Sequence, residues 1–144
     1  MQGTMRRDTE KRALRPLGVW ILTILNSLIA GVLPLLAVVA AMGGNVAVPG
    51  TEMTAMLLAG LGIGVIGASV GTWQRSDTAR IVLLGLLALY HGLNTLGSVM
   101  GLSIEGLPAT EQASIYGSIV RGIFWVAINF WYFLRPKTRA WFQG

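Results

Sequence analysis

Two polar residues, one helical turn apart, interrupt an apolar segment that is long enough to cross a bilayer. His91, the single histidine of the chain, lies in segment 81–102 and is followed by Asn94. Polar side chains at that depth are unfavourable unless they find partners. A histidine there can bridge helices by hydrogen bonding, relay protons, or act as an axial ligand of a haem or a chlorin pigment. We therefore expect any site to be arranged around this pair.

Other apolar segments also carry polar residues, and their depths match those of His91 and Asn94. Counted from the basic end of each segment at 1.5 Å per residue, Asn26 and His91 lie roughly 14 to 15 Å deep, and Asn94 and Arg121 roughly 20 Å. Ser69 and Asn129 lie at about 6 and 8 Å. The expected pairs are Asn26 with His91, Asn94 with Arg121, and Ser69 with Asn129. The first two pairs would form one polar layer.

Arg121 has two interpretations. Its side chain could extend towards the nearer interface and pair with Glu111 or Glu105, as long basic side chains do near membrane surfaces. Alternatively, it lines a cavity and recognises an anion or acts as a gating charge. An arginine inside a span is a functional candidate by default.

The sequence predicts no catalytic site and no metal site. There is no cysteine, and only one histidine. The acids Glu52, Glu105 and Glu111 fall outside the apolar segments, so no carboxylate lies at the depth of His91 to orient it. No cofactor is predicted, and His91 remains the one candidate ligand for a haem or chlorin.

The composition is that of an integral membrane protein. Hydrophobic residues make up 53% of the 144 residues, whereas charged residues make up 12%, about half the usual share of a soluble domain. The net charge of +5 comes from basic residues that flank apolar runs, which is a topology signal rather than a nucleic-acid footprint. The expected environment is the lipid bilayer.

The apolar runs predict an all-α, single-domain four-helix bundle with antiparallel neighbours. The predicted spans cover residues 17–42, 53–73, 81–102 and 113–134. A basic N-terminal tail covers 1–15, and a basic C-terminal tail, in which Trp141 and Phe142 could lie in the interface, covers 135–144. In the first span, Gly31 and Pro34 predict a bend near Ala30.

The distribution of basic residues predicts orientation. All but one of the 11 Lys and Arg residues lie in the two tails or in the middle loop. In the other two loops every charged residue is acidic. Four spans with both termini in the cytoplasm satisfy the positive-inside rule. We expect a multi-pass protein of the bacterial plasma membrane.

The second span is rich in glycine at helical spacing. Gly60 and Gly64, and then Gly67 and Gly71, follow the small-xxx-small pattern that lets two helices approach closely. These four glycines are the predicted helix-packing residues, either within the bundle or at an oligomer seam. The match of Gly62 to Gly67 with a dinucleotide-binding fingerprint is rejected, because the motif needs a preceding strand and a polar loop.

Both ends of the chain resemble those of many small bacterial multi-span membrane proteins of unknown function. The resemblance rests on Arg15-Pro16-Leu17-Gly18-Val19-Trp20 at the start and Phe133-Leu134-Arg135-Pro136-Lys137 near the end. It implies a prokaryotic plasma-membrane location and carries over no activity.

Three functions follow from these patterns. The first expectation is a structural or assembly role, as an accessory subunit of a membrane complex or as a homo-oligomer. The alternative is a small transporter or channel whose pathway is lined by Asn26, His91, Asn94 and Arg121. The third is a haem- or chlorin-binding subunit that uses His91.

Overall fold

The computed structural model describes residues 16–43, 52–104 and 106–143, except for the side chain of Glu52. The predicted tail 1–15, most of the loop after the first span, and Glu105 lie outside the described residues. All regular secondary structure in the described part of the chain is helical. The prediction of an all-α protein is confirmed.

Four helical segments are long and apolar enough to cross a membrane: Leu17–Met42, Met53–Trp73, Asp77–Leu102 and Ala109–Leu134. The helices are α1 (Leu17–Asn26), a π-helix (Ser27–Val32), α2 (Leu33–Met42), α3 (Glu52–Trp73), α4 (Asp77–Leu102), α5 (Ala109–Leu134) and α6 (Pro136–Gln143). The third and fourth begin four residues before the predicted residues 81 and 113, because the polar turns that precede the apolar runs are already helical.

The first span changes its winding where the sequence predicts a bend. A π-helix joins α1 to α2 directly before Pro34, whose missing N–H removes one backbone hydrogen bond. At this level the first span crosses α3 at very close range. A Cβ placed on Gly62 would lie 2.8 Å from the carbonyl oxygen of Gly31, and one placed on Gly31 would lie 2.8 Å from Ile66 Cγ1. Only glycine fits on both helices here.

Consecutive spans are packed against each other: the first span on α3, α3 on α4, and α4 on α5. The first span meets α5 mainly through α1, at one end of the bundle. There Tyr132 packs against Gly18, where any Cβ would overlap its ring. Towards the other end, the first and fourth spans contribute fewer contacts to each other, which leaves room between them.

The turn between α3 and α4 is tight and well satisfied. Arg75 adopts a left-handed conformation, with φ of 64°. The N–H of Ser76 donates to the carbonyl of Gly71, and the N–H of Arg75 to that of Thr72, both at 3.1 Å. This is a Schellman motif with an arginine in the position that glycine usually occupies. Ser76 then caps α4 by accepting a hydrogen bond from the N–H of Ala79 at 3.2 Å.

The last helix, α6, folds back beneath the bundle and fixes this turn. Trp141 and Phe142 are buried against the core rather than spread along an interface. The Arg75 guanidinium donates to the Trp141 carbonyl at 2.8 Å and lies over its ring. Arg80, only 3% exposed, donates to the Phe133 carbonyl at 2.6 Å and pairs with Asp77 at 2.8 Å. We call this the basic end of the bundle; it also holds Arg135, Lys137 and Arg139.

The four predicted packing glycines have different environments. A Cβ on Gly64 would lie 3.2 Å from Leu86 Cδ1, and one on Gly71 would lie 2.6 Å from Ala79 Cβ, so both glycines face α4. Positions 60 and 67 have open space within 4 Å. The close crossing of α3 with the backbone of the first span uses Gly62, which the pattern did not select.

Candidate functional site

A buried hydrogen-bonded cluster joins the first and last spans. The Asn26 side-chain amide donates to Asn129 Oδ1 at 2.6 Å, and Trp125 Nε1 donates to Asn26 Oδ1 at 2.9 Å. Asn129 in turn donates to the Trp125 carbonyl at 2.8 Å. Both asparagines are fully buried. We refer to Asn26, Trp125 and Asn129 as the asparagine clasp.

The clasp corrects two of the pairs expected from depth. Asn26 bonds Asn129 and Trp125 rather than His91, and Asn129 therefore does not pair with Ser69. The depth count assumed straight helices and could not say which helices are neighbours. Because α1 packs beside α5, Asn26 meets the residue that α5 presents at that level. The two expected layers differed by only a turn of helix, so helix tilt suffices to exchange the partners.

A cavity of about 420 Å³ lies beside the clasp, between the first, third and fourth spans. Ile29 and Trp125 contribute apolar surface to its wall. Its polar lining consists of Tyr90, His91, Asn94, Thr95, Ser118 and Arg121. The structure thus brings three of the four predicted polar-layer residues, His91, Asn94 and Arg121, to one cavity. Asn26 lies next to it, joined through Trp125.

His91 is nearly buried in the wall of this cavity. Its side chain is 9% exposed, and Nε2 has no hydrogen-bond partner within the part of the chain that the structure describes. The ring meets Tyr90 edge to face, at 5.1 Å between centroids. Nδ1 would lie 3.9 Å from a Cβ on Gly122, so α5 passes close to the imidazole. One interpretation of the sequence expected the imidazole to bridge helices by a hydrogen bond. Among the described residues it forms no such bond.

Arg121 lies near the middle of α5, with its side chain exposed at the cavity. It forms no ion pair or hydrogen bond with any residue in the described ranges. Glu111, one of its two expected partners, is ten residues away on the same helix, roughly 15 Å along the axis. The other, Glu105, lies outside the described residues. A guanidinium at this depth is unfavourable by about 2.5 to 3.5 kcal/mol on insertion scales.

Asn94 marks the border between this cavity and a second one. Its side-chain amide donates to the Tyr90 carbonyl at 3.0 Å, and both residues line the two cavities. The second cavity, of about 690 Å³, lies among α3, α4 and α5 towards the end opposite the basic end, where Thr54, Gly101 and Ile115 face it. Asn94, Ser98 and Gly101 share one side of α4 by helical spacing, and all three line this second cavity.

Three further residues line the cavity that were not predicted to belong to the site: Thr95, Ser118 and Trp125. Ser118 and Trp125 lie three residues before and four residues after Arg121, so all three share one face of α5. The same spacing relates Thr95 to His91. Helical periodicity taken from each polar residue would have found them. In the described ranges, no group of three His, Cys, Asp or Glu residues could hold a metal ion.

Comparison with known proteins does not extend this picture. No protein-family model matches the chain, and neither a curated protein nor a solved structure matches it. The site must therefore be interpreted from its own chemistry: an arginine without a partner in the described part of the chain and a nearly buried histidine, both at one cavity in an apolar helical protein.

Proposed function

We propose that this protein binds an anionic solute within the bilayer and carries it across the membrane, with Arg121 as the recognition charge. The observation that carries the proposal is the Arg121 side chain, which has no partner among the described residues, at a cavity that His91, Asn94, Thr95 and Ser118 also line. An intramembrane cation without an internal partner is stabilised by an anion, by water, or by both. Within the described ranges no acidic residue lines this cavity, so the site favours negative charge. The role is binding and transport rather than catalysis.

The clasp and α6 lie on one side of the first cavity and the second cavity lies on the other, which supports a transport role. A separate groove of about 490 Å³ lies at the basic end, between the start of α1 and α6. The asparagine clasp lies between the cavity and the basic end, where α6 covers the bundle. Transporters commonly hold their solute near the middle of the bilayer, with one side sealed. A bound anion would rest against Arg121 with Trp125 of the clasp beside it. Release at the basic end would require the clasp to separate.

We infer further that neighbouring spans are antiparallel and that the basic end faces the cytoplasm. Arg80 bonds Phe133 while His91 packs beside Gly122, so residue numbers rise along α4 as they fall along α5. The basic residues of the turn and of α6 lie together, as the positive-inside rule expects for cytoplasmic segments. A bacterial plasma membrane is the corresponding location.

Substituting Arg121→Gln tests the proposed function. Purified protein would be reconstituted in neutral-lipid proteoliposomes, and uptake of labelled anions of graded size, from acetate and phosphate to dodecanoate, would be measured. Wild-type protein should give saturable uptake of at least one anion, and Arg121→Gln should reduce it at least tenfold. Arg139→Gln, which removes the same charge from an exposed position on α6, should retain it. Equal uptake by wild type and Arg121→Gln contradicts the proposal.

An assembly role is the second candidate, and a specific observation favours it. Gly60 and Gly67 lie one above the other on α3 and face open space, so the bundle leaves one small-residue face of α3 available to a second helix. Light scattering of the purified protein in detergent tests this role. A mass of two or more chains that falls to one chain in Gly67→Leu supports it, and a single-chain mass for the wild type counts against a homo-oligomer.

The haem or chlorin alternative is tested by the visible absorbance spectrum of the purified protein.

A further inference from the structure

We propose that the anion is amphipathic, with its charged group at Arg121 and an alkyl chain in the second cavity. This inference rests on the proposed function and adds the chemical class of the ligand. Recognition of an anion needs only the cavity that Arg121 lines. Next to that cavity lies the second, larger cavity, which has a different lining.

The second cavity has the lining of an alkyl-chain site. Its aliphatic walls are Leu57, Leu58 and Leu61 of α3, Leu93 of α4 and Ile115 of α5, and its polar lining consists of Thr54, Tyr90, Asn94 and Ser98. Gly97, which also lines it, would have no atom within 4 Å of an added Cβ. The volume of about 690 Å³ is in the range of pockets that enclose drug-sized ligands. Such a space is suited to flexible hydrocarbon.

The two cavities are adjacent, and both are lined mainly by apolar surface. Tyr90 and Asn94 line both, so no layer of side chains separates them completely. They differ in that Arg121 and His91 line only the first cavity, whereas three leucines of α3 line only the second. A ligand that spans both would therefore be charged at one end and apolar at the other.

The charges at the site select the sign of the headgroup. Among the residues that the structure describes, Arg121 is the one with a fixed charge that lines either cavity, and none of the lining residues is Asp or Glu. His91 adds a nearly buried imidazole whose Nε2 has no partner among the described residues, so the headgroup would gain a hydrogen-bonding group. A carboxylate or phosphate headgroup fits this setting, and an alkylammonium ion does not.

Equilibrium binding to the full-length protein in neutral-lipid nanodiscs tests the inference. The ligands are dodecanoate, acetate as the headgroup alone, and dodecanol as the chain alone. We expect saturable dodecanoate binding at least tenfold tighter than that of acetate or dodecanol. Arg121→Gln should weaken dodecanoate binding at least tenfold. Gly97→Leu, which fills the second cavity, should weaken dodecanoate at least tenfold and leave acetate binding unchanged.

A matched substitution controls for the added side chain. Gly85 is also on α4, also has open space around an added Cβ, and lines neither cavity. Gly85→Leu should therefore bind dodecanoate as the wild type does. If acetate binds as tightly as dodecanoate, or if Gly97→Leu binds dodecanoate normally, the amphipathic inference is overturned while anion transport through Arg121 stands. If Arg121→Gln changes neither ligand, the proposed function itself fails.

The same chemistry could reach the site from the aqueous phase or from the bilayer, and lipid analysis separates these sources. Lipids extracted from protein purified out of native membranes would be quantified per chain. An anionic phospholipid retained at one per chain in the wild type, and lost in Arg121→Gln and Gly97→Leu, identifies a membrane lipid as the ligand. No retained phospholipid, together with dodecanoate binding, identifies a free amphiphile. Equal retention in all variants, without dodecanoate binding, overturns the inference.

Discussion

At the scale of single residues, the polar groups within the spans fall into two kinds. Asn26 and Asn129 satisfy each other and are sealed from solvent, so they hold the first and last spans together. His91 and Arg121 lack hydrogen-bond partners among the described residues and line a cavity. Polar side chains at similar depth therefore hold helices together in one case and, in the proposed function, bind a ligand in the other, and the difference lies in their partners.

Substituting Asn26→Leu should destabilise the protein by about 1 to 3 kcal/mol, because Trp125 Nε1 and Asn129 Oδ1 would remain buried without partners. The double variant Asn26→Leu/Asn129→Leu should lose less than the sum of the two single changes. Unfolding in mixed detergent and SDS micelles measures these differences. Asn94→Leu, which removes one exposed local bond, should stay within about 0.5 kcal/mol of the wild type. Strict additivity of the pair would argue against the clasp.

At the scale of elements, contact between the first span and α3 depends on one crossing point. The π-helix of the first span and the bare backbone of Gly31 and Gly62 allow the two helices to meet closely. Small residues at such crossings let dispersion contacts replace the hydrophobic driving force that lipid removes. The crossing also sets the level of Ile29, which contributes to the cavity wall.

We expect Gly62→Ala to destabilise the protein by about 1 to 3 kcal/mol, since its methyl group would press on the Gly31 carbonyl. Gly60→Ala and Gly67→Ala on the same helix should be neutral or stabilising by up to about 1 kcal/mol, because alanine favours helix and nothing opposes it. Thermal unfolding in one detergent compares the three variants. A larger loss at Gly60 or Gly67 than at Gly62 would place the important contact in an oligomer seam instead.

At the scale of the whole molecule, α6 packs at the basic end, and the two cavities of the site lie towards the middle and the other end of the bundle. Hydrogen bonds and ring contacts hold α6 and the end of α5 against the turn between α3 and α4; they involve Arg75, Arg80, Trp141 and Phe142. The second cavity reaches towards the Thr54, Gly101 and Ile115 ends of three spans. The proposed orientation places this opening on the outer side of the membrane.

Single cysteines test this arrangement, and the chain has none of its own. In intact bacterial spheroplasts, a membrane-impermeant maleimide should label Ser98→Cys in the second cavity. It should label Lys137→Cys on α6 only after the membrane is permeabilised. Ser69→Cys, at a position that is 1% exposed, is the buried control and should stay unlabelled in both conditions. Labelling of Lys137→Cys in intact spheroplasts would reverse the orientation.

The sequence predicted the architecture better than the contacts. Length and hydropathy alone give four apolar helices, because a bilayer leaves few alternatives for the backbone. Residue depth brought His91, Asn94 and Arg121 to the same level, and the structure places them at one cavity. Depth alone does not say which helices are neighbours, so the prediction that Asn26 pairs with His91 was wrong.

The burial of α6 could not be predicted from the sequence for a related reason. Basic and aromatic residues at the end of a span, such as Arg80, Trp141 and Phe142, are typical of the membrane interface. Composition does not distinguish a helix that lies on the surface from one that folds back onto the bundle. The structure buries all three, because Arg80 finds a carbonyl at the end of α5 and the two rings cover the turn before α4. Long-range contacts of this kind leave no local signal.

The hydrogen bond from Arg75 to the Trp141 carbonyl has a consequence for the synthesis of the protein. A ribosome makes α6 after all four spans, so Arg75 must wait for its acceptor, the Trp141 carbonyl, until the last span has been made. The acceptor of Arg80, the Phe133 carbonyl, lies on α5 and is made earlier. A chain that stops before Pro136 would keep all four candidate membrane spans and the acceptor of Arg80, yet leave Arg75 without the Trp141 carbonyl. Formation of this hydrogen bond thus requires that translation has passed the last span.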